Sequence, residues 1–330
     1  MTVAGKLILA GISLNACLVD AVVGQTCVNV RLNTAKSLFA LSASPSHTGA
    51  LVYGSKEKAE GEIVTGSLFY VRFHDGKGDL APVPSSAASN PPPPVWSADG
   101  SVAYFETNRG IYQFSAAEAR AQLLLQEMSV GIALSPDGSR LAYWRIGRGA
   151  DTLVVYDLKQ KKAMRTWQVA DRYESDVAGW EIAFVPDGSA VYARTYDKAS
   201  STPLKRFDAD SGKVELVSQN CLSVVQEGAA IYFVEAAGAK KSLRKITAKT
   251  NASELVSGSF DYDSLQGDGG MRWATAQNHR TGRIVALDAK VDTIQEIGKY
   301  DSAVVLAEGR QIVVRGNTLV VEDSSCLPGK

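Results

Sequence analysis

Residues 96–105 read WSADGSVAYF, residues 134–144 read LSPDGSRLAYW and residues 184–193 read FVPDGSAVYA. Each copy is an apolar residue, then Ser or Val, a corner ending in Asp-Gly, and an apolar run containing Tyr. The corner has turn chemistry. Pro presets φ, Asp hydrogen-bonds backbone just ahead of it, and Gly accepts the positive φ that brings the chain back. Three-residue hairpins with a Gly bulge are predicted, each joining one short strand to the next.

Three copies ask for a period. The closing glycine recurs at Gly49, Gly100, Gly138, Gly188, Gly228, Gly269 and Gly309, at intervals of 51, 38, 50, 40, 41 and 40 residues. The Asp before it stands at Asp99, Asp137 and Asp187. The first long interval holds PVPSSAASNPPPP (82–94), readable as a linker or as a partner-docking segment, and the second holds the polar VADRYESDVAG (169–179). After each corner a third segment ends in a polar residue, as at Asp75, Asp157, Asp208, Asp288 and Asp323. Most units add a fourth segment, such as VELVS (214–218) or SELVS (253–257). AAEARAQLLLQEM (116–128) has the most helical look, but it stands where a fourth strand is due and is read as one.

Four short strands in each ~40 residues predict an all-β chain, a seven-bladed β-propeller of four-stranded antiparallel blades over residues 25–330. After Gly309 there is room for only two more strands, QIVVR and TLVVED. The last blade is therefore expected to be closed by the N-terminal strand TCVNVRL (26–32). Cys27 and Cys326 flank that pairing, and a disulfide between them is expected to staple the ring in an oxidising compartment. Cys221 opens a predicted strand and reads as a small buried hydrophobe.

Residues 1–24 have the layout of a cleaved secretory signal: one Lys, an apolar stretch too short to span a bilayer comfortably, and small residues Val22 and Gly24 before a cut at Gln25. LNAC (14–17) keeps a second reading open, in which Cys17 is lipidated and becomes the mature N-terminus. Either way the mature chain is expected in the periplasm, the envelope or the exterior, with no transmembrane segment and as a monomer. Apolar residues make up 45% of the chain and charged ones 21%, a globular balance, and the formal net charge is zero. No whole-chain field for nucleic acid exists.

The three Asp-Gly corners, with third segments such as LVVYDLKQKK (153–162), resemble repeats of the TolB type. These are Pro-Asp relatives of the WD repeat, found in TolB, in the tricorn protease and in the propellers of prolyl-oligopeptidase-like enzymes. The resemblance covers about 30–330 and is densest over 93–220. It is to the propeller alone: TolB's preceding α/β domain is not expected, and the Gly-x-Ser-x-Gly elbow of the peptidases is absent from the sequence. It implies an architecture and leaves activity open.

Chemistry-bearing residues are sparse. His47, His74 and His279 fall at three different blade positions and point to no shared metal. Asp261, Asp263 and Asp268 miss the calcium-loop spacing because Leu265 stands at the third ligand place. Trp96, Trp144, Trp180 and Trp273 fall in first or second strands, where packing between blades is expected. No cofactor is implied. The expected function is non-catalytic recognition of a protein or peptide on one propeller face. The alternative is an enzyme acting on a carbohydrate or small molecule through carboxylates in the central channel.

Overall fold

A computed structural model describes residues 28–31, 37–46, 48–56, 64–74, 77–147, 150–169, 181–195, 201–247, 252–267, 272–307 and 310–323. Its regular elements are all β-strands, arranged as seven antiparallel sheets. Blades 1 to 7 span residues 37–82, 95–125, 129–169, 182–218, 221–257, 264–299 and 302–323. Neighbouring blades follow chain order, and blade 7 meets blade 1. The architecture is the expected seven-bladed propeller.

Ring closure also follows the expectation. Val28–Arg31 pairs antiparallel with Thr318–Asp323 as the outermost strand of blade 7, in the register Val28 to Val321 and Arg31 to Thr318. Val30 enters an apolar cluster with Leu319 and Val321 of blade 7 and Leu38 and Val52 of blade 1. Each of the other six seams has an apolar cluster of its own. A twisted four-stranded sheet has two apolar faces to cover, and radial stacking covers both. Second strands such as Gly49–Ser55 and Ala190–Arg194 are accordingly buried throughout, whereas the fourth strand of blade 3, Lys162–Val169, alternates toward solvent.

The corners differ from expectation in length. Ser97 N–H donates to Val102 O, Ser135 N–H to Arg140 O and Val185 N–H to Ala190 O, so each loop has four residues and not three. The added residue gives the aspartate something to hold. Asp99 Oδ1 accepts from the Ser101 amide at 3.0 Å, Asp137 Oδ1 from Ser139 at 3.1 Å and Asp187 Oδ1 from Ser189 at 2.9 Å. The serine before the corner has its own task, its hydroxyl accepting from Val102 N–H and Arg140 N–H where the strands begin to pair. Gly100, Gly138 and Gly188 sit at φ of 69°, 70° and 71°. Blade 5 turns in two residues between Glu227 and Ala230, with Gly228 at φ 55°.

Gly49 is a correction to the period. Ser44 N–H donates to Gly49 O, which makes Gly49 the counterpart of Val102 and Arg140, inside the second strand and outside the left-handed region. Its small size answers to space: an added Cβ would come within 2.6 Å of the Tyr70 ring and 2.9 Å of Val71 O. Gly269 and Gly309 lie outside the described residues, as do His47, Asp268, Trp180, Cys17, Cys27 and Cys326.

The Pro/Ser insertion is built into the fold. Ala88–Ser89 pairs with Thr65 and Gly66 at the start of blade 1's third strand, and Leu68 N–H donates to the buried Ser86 hydroxyl at 2.8 Å. Ala87 O and the Ser89 amide bond Asn108 of blade 2. A loose linker does not fit this segment. Pro82 ends the fourth strand of blade 1, opposite Phe69, and beyond it Ser, Ala and Asn supply the backbone groups that the prolines lack.

Candidate functional site

First-to-second corners and third-to-fourth turns of an antiparallel blade share one face of the ring. Arg72 of blade 1 reaches Ala116 O of blade 2 on this face, and Arg140 of blade 3 reaches Gly188 O of blade 4. At its centre lies a cup of about 120 Å3, open to solvent. Five blades contribute to its wall: Trp96, Ile132, Phe184, Val225 and Gly267 come from the first strands of blades 2, 3, 4 and 5 and of blade 6. Next to Gly267, Gln266 of blade 6 donates its Nε2 to Leu41 O of blade 1.

No charged residue lines this cup among the described residues. Its polar side chains are already engaged. Trp96 Nε1–H donates to Ser42 O at 3.4 Å, Gln226 Nε2–H to Gly228 O at 2.8 Å, and the Ser135 hydroxyl to Asp137 Oδ1 at 2.6 Å. What the wall offers a ligand is apolar surface and strand-end backbone. Ala98 and Pro136 stand at the lip.

Beside the lip sit the corner carboxylates. The Ser97 hydroxyl, then the Ser101 amide and hydroxyl, hold Asp99 down at about 2. Burial pushes Asp137 up, but the Ser135 and Ser139 donors outweigh it and its carboxyl lies low. The Ser189 amide and hydroxyl do the same for Asp187. All three are anions at neutral pH, with their hydrogen-bonding capacity largely spent inside the turns. Hydrogen bonds to the charged form are the common cause.

The other residues singled out in the sequence are scattered. His74 ends the third strand of blade 1, exposed and 3.6 Å from Asp79, while the His279 amide donates to Asp263 Oδ1 in blade 6. Asp261 takes the Asn278 side-chain amide, and Asp263 lies 3.7 Å from Lys241 Nζ, which makes the acidic stretch a braced entry to blade 6. Among the described residues no cluster of three or more His, Cys, Asp or Glu could hold a metal ion. Trp144 is fully buried between blades 3 and 4. Trp273 lies under the Arg272 guanidinium at 4.8 Å. Cys221 is fully buried in the seam of blades 4 and 5, and desolvation pushes its thiol up, away from thiolate chemistry.

Sequence reasoning did not find the cup. Its wall comes from positions as far apart as Val95 and Gly267, with only apolar strand residues as a signal. It also missed Glu106, which is 4% exposed in the second strand of blade 2.

No protein-family model matches the chain, and no curated protein matches it in sequence. Solved structures do share its fold. An oligogalacturonate lyase in complex with manganese aligns with a TM-score of 0.62 at 10% identity, over 91% of this chain and 91% of that chain. A chain of the mitotic checkpoint complex aligns with a TM-score of 0.58 at 11% identity, over 98% of this chain and 99% of its own. TolB from Acinetobacter baumannii aligns with a TM-score of 0.49 at 15% identity, over 82% of this chain and 65% of that chain. The likeness to the lyase and to the checkpoint chain speaks for the propeller and for nothing finer.

Proposed function

We propose that this protein is an exported, non-catalytic scaffold that binds a protein or peptide partner across the corner face of its propeller, in the periplasm or cell envelope. The observation that carries the reading is the cup itself: a concave, uncharged, apolar centre on the face where the corners gather. Such a surface suits an apolar anchor side chain of a partner, with turn backbone around it for orientation. The enzyme alternative asks for two carboxylates facing one another in the channel, and the lining just described is of a different kind. Cleavage of residues 1–24, lipidation at Cys17 as its competitor, and the Cys27–Cys326 bridge belong to the same proposal.

Ala98 is exposed at the lip, so Ala98→Arg fills the mouth without entering the core. Partners captured from an envelope extract by the wild-type chain are expected to be lost, at least about tenfold, with this variant. Equal capture by both chains, or no partner together with turnover of an oligosaccharide, would overturn the reading. The bridge has a separate test. A disulfide closing nearly the whole chain is worth about 2–5 kcal/mol, so reductant is expected to lower the melting midpoint. A midpoint indifferent to reductant removes the bridge.

A further inference from the structure

Two buried carboxyl groups of the ring and one half-buried one face arginines: Asp288 faces Arg272, Glu322 faces Arg315 and the half-buried Glu181 faces Arg194. Glu106 does not. It projects from the second strand of blade 2, Val102–Thr107, into the seam with blade 3. There its Oε2 accepts from Gly131 N–H at 3.0 Å. Tyr53 of blade 1 donates its hydroxyl to Glu106 O at 2.8 Å, which holds the backbone behind the carboxyl group. Ser129 of blade 3 lies beside it, yet Glu106 Oε1 and Ser129 Oγ are both buried with no partner in good geometry. The groups facing the carboxyl are thus a hydroxyl and an amide, with the Tyr53 phenol on the backbone behind, and no cation among the described residues offsets its charge.

Gly131 is a bulge. The pairing of blade 3's first strand, Ser129–Leu134, slips between Val130 and Ile132, and Gly131 sits at φ 69°. The residues just beyond it, Ile132 to Pro136, form one wall of the cup. Whatever holds the bulge therefore sets where that wall stands.

We propose that Glu106 is a pH-sensitive clasp on the cup. Protonated, it accepts from the Gly131 amide with no charge buried in the seam and fixes the blade 3 wall. Ionised, it is a buried charge without a counter-ion, relieved when the seam of blades 2 and 3 opens enough to admit water. The regulatory meaning rests on the binding role proposed above, whereas the clasp is a property of the fold. Burial agrees with the geometry, pushing this carboxyl up to about 7, against the smaller opposing pull of Ser129 and the Gly131 amide. The sign follows from linkage. A carboxyl whose folded value is raised stabilises the closed seam below its ordinary value of 4.5, and that contribution fades as pH rises through about 7.

Hydrogen–deuterium exchange of the peptide covering 129–134 tests this without any partner. Between pH 5 and pH 8 its protection factor in the full chain is expected to fall by as much as about a hundredfold, and in Glu106→Gln to stay level. Gln can accept from Gly131 and donate to Ser129 without charge. Level protection in the wild type, or an equal fall in both chains, would overturn the clasp. If Glu106→Gln does not fold, Ser129→Ala decides instead. Losing the hydroxyl that steadies the charge is expected to move the transition to higher pH, and an unmoved midpoint overturns the proposal. Failure of partner capture leaves these readings untouched.

Discussion

Deleting Val28–Arg31 is expected to cost about 3–5 kcal/mol and to lower the melting midpoint by about 5–10 °C, the ladder bonds and the buried Val30 outweighing the entropy released. The four residues pair one for one with Thr318–Val321. Their removal strips the outer edge of blade 7's third strand and opens Leu319 and Val321 to water. The loss falls on one of the seven seams, the one that joins the last blade to the first. A ring has no redundancy there, because every other blade is continuous in sequence. An exposed, apolar strand edge also invites association between chains. A control separates this from general fragility: Leu255→Ser, at a 60%-exposed position of blade 5's outer strand, is expected to leave the midpoint nearly unchanged. A deletion as mild as the control would show that the N-terminal strand does not close the ring.

The second large effect is at Gly110. Alanine there is expected to cost about 3–5 kcal/mol, whereas Gly138→Ala costs about 1–2 kcal/mol. Both glycines lie at positive φ, 138° and 70°. The difference is what surrounds them. A Cβ on Gly110 would stand 2.0 Å from Leu125 O, a backbone atom of the neighbouring strand, and one on Gly138 would have nothing within 4 Å. At Gly138 the substitution pays only for a left-handed turn. At Gly110 it must also part the third and fourth strands of blade 2, whose register shifts just there, between Leu123 and Leu125. Urea unfolding checks the order: midpoints should fall for both variants with unchanged slope, and much further for Gly110→Ala. Equal losses would mean that torsion and not the approach of Leu125 sets the cost.

These two glycines mark how far the chain can be read as text. Gly138 belongs to a motif of adjacent residues, SPDGS, and each part of that motif acts on its neighbours, so its role is visible in one copy and repeated in the next. Gly110 has no such context. Its reason is a carbonyl fifteen residues on, brought against it by a shifted pairing. Gly49 shows the opposite error, a glycine at nearly the right interval whose need is space beside Tyr70 rather than a turn.

Turn chemistry acts over four or five contiguous residues, and strand count and chain-end pairing follow from repeating it. The sequence by itself therefore determined seven blades, their four-stranded make-up and the closure of the last by the first strand. Tertiary structure decided the rest. Packing brought Trp96, Ile132, Phe184 and Val225 around one apolar cup, folded Val83 and Ala88 of the 82–94 segment into the seam of blades 1 and 2, and left Glu106 without an arginine. Each of these depends on which distant strand lies next to which, and on the polar partners that neighbour happens to carry. Such relations arise only when the sheets are stacked, since burial and counter-charge are properties of neighbours in space.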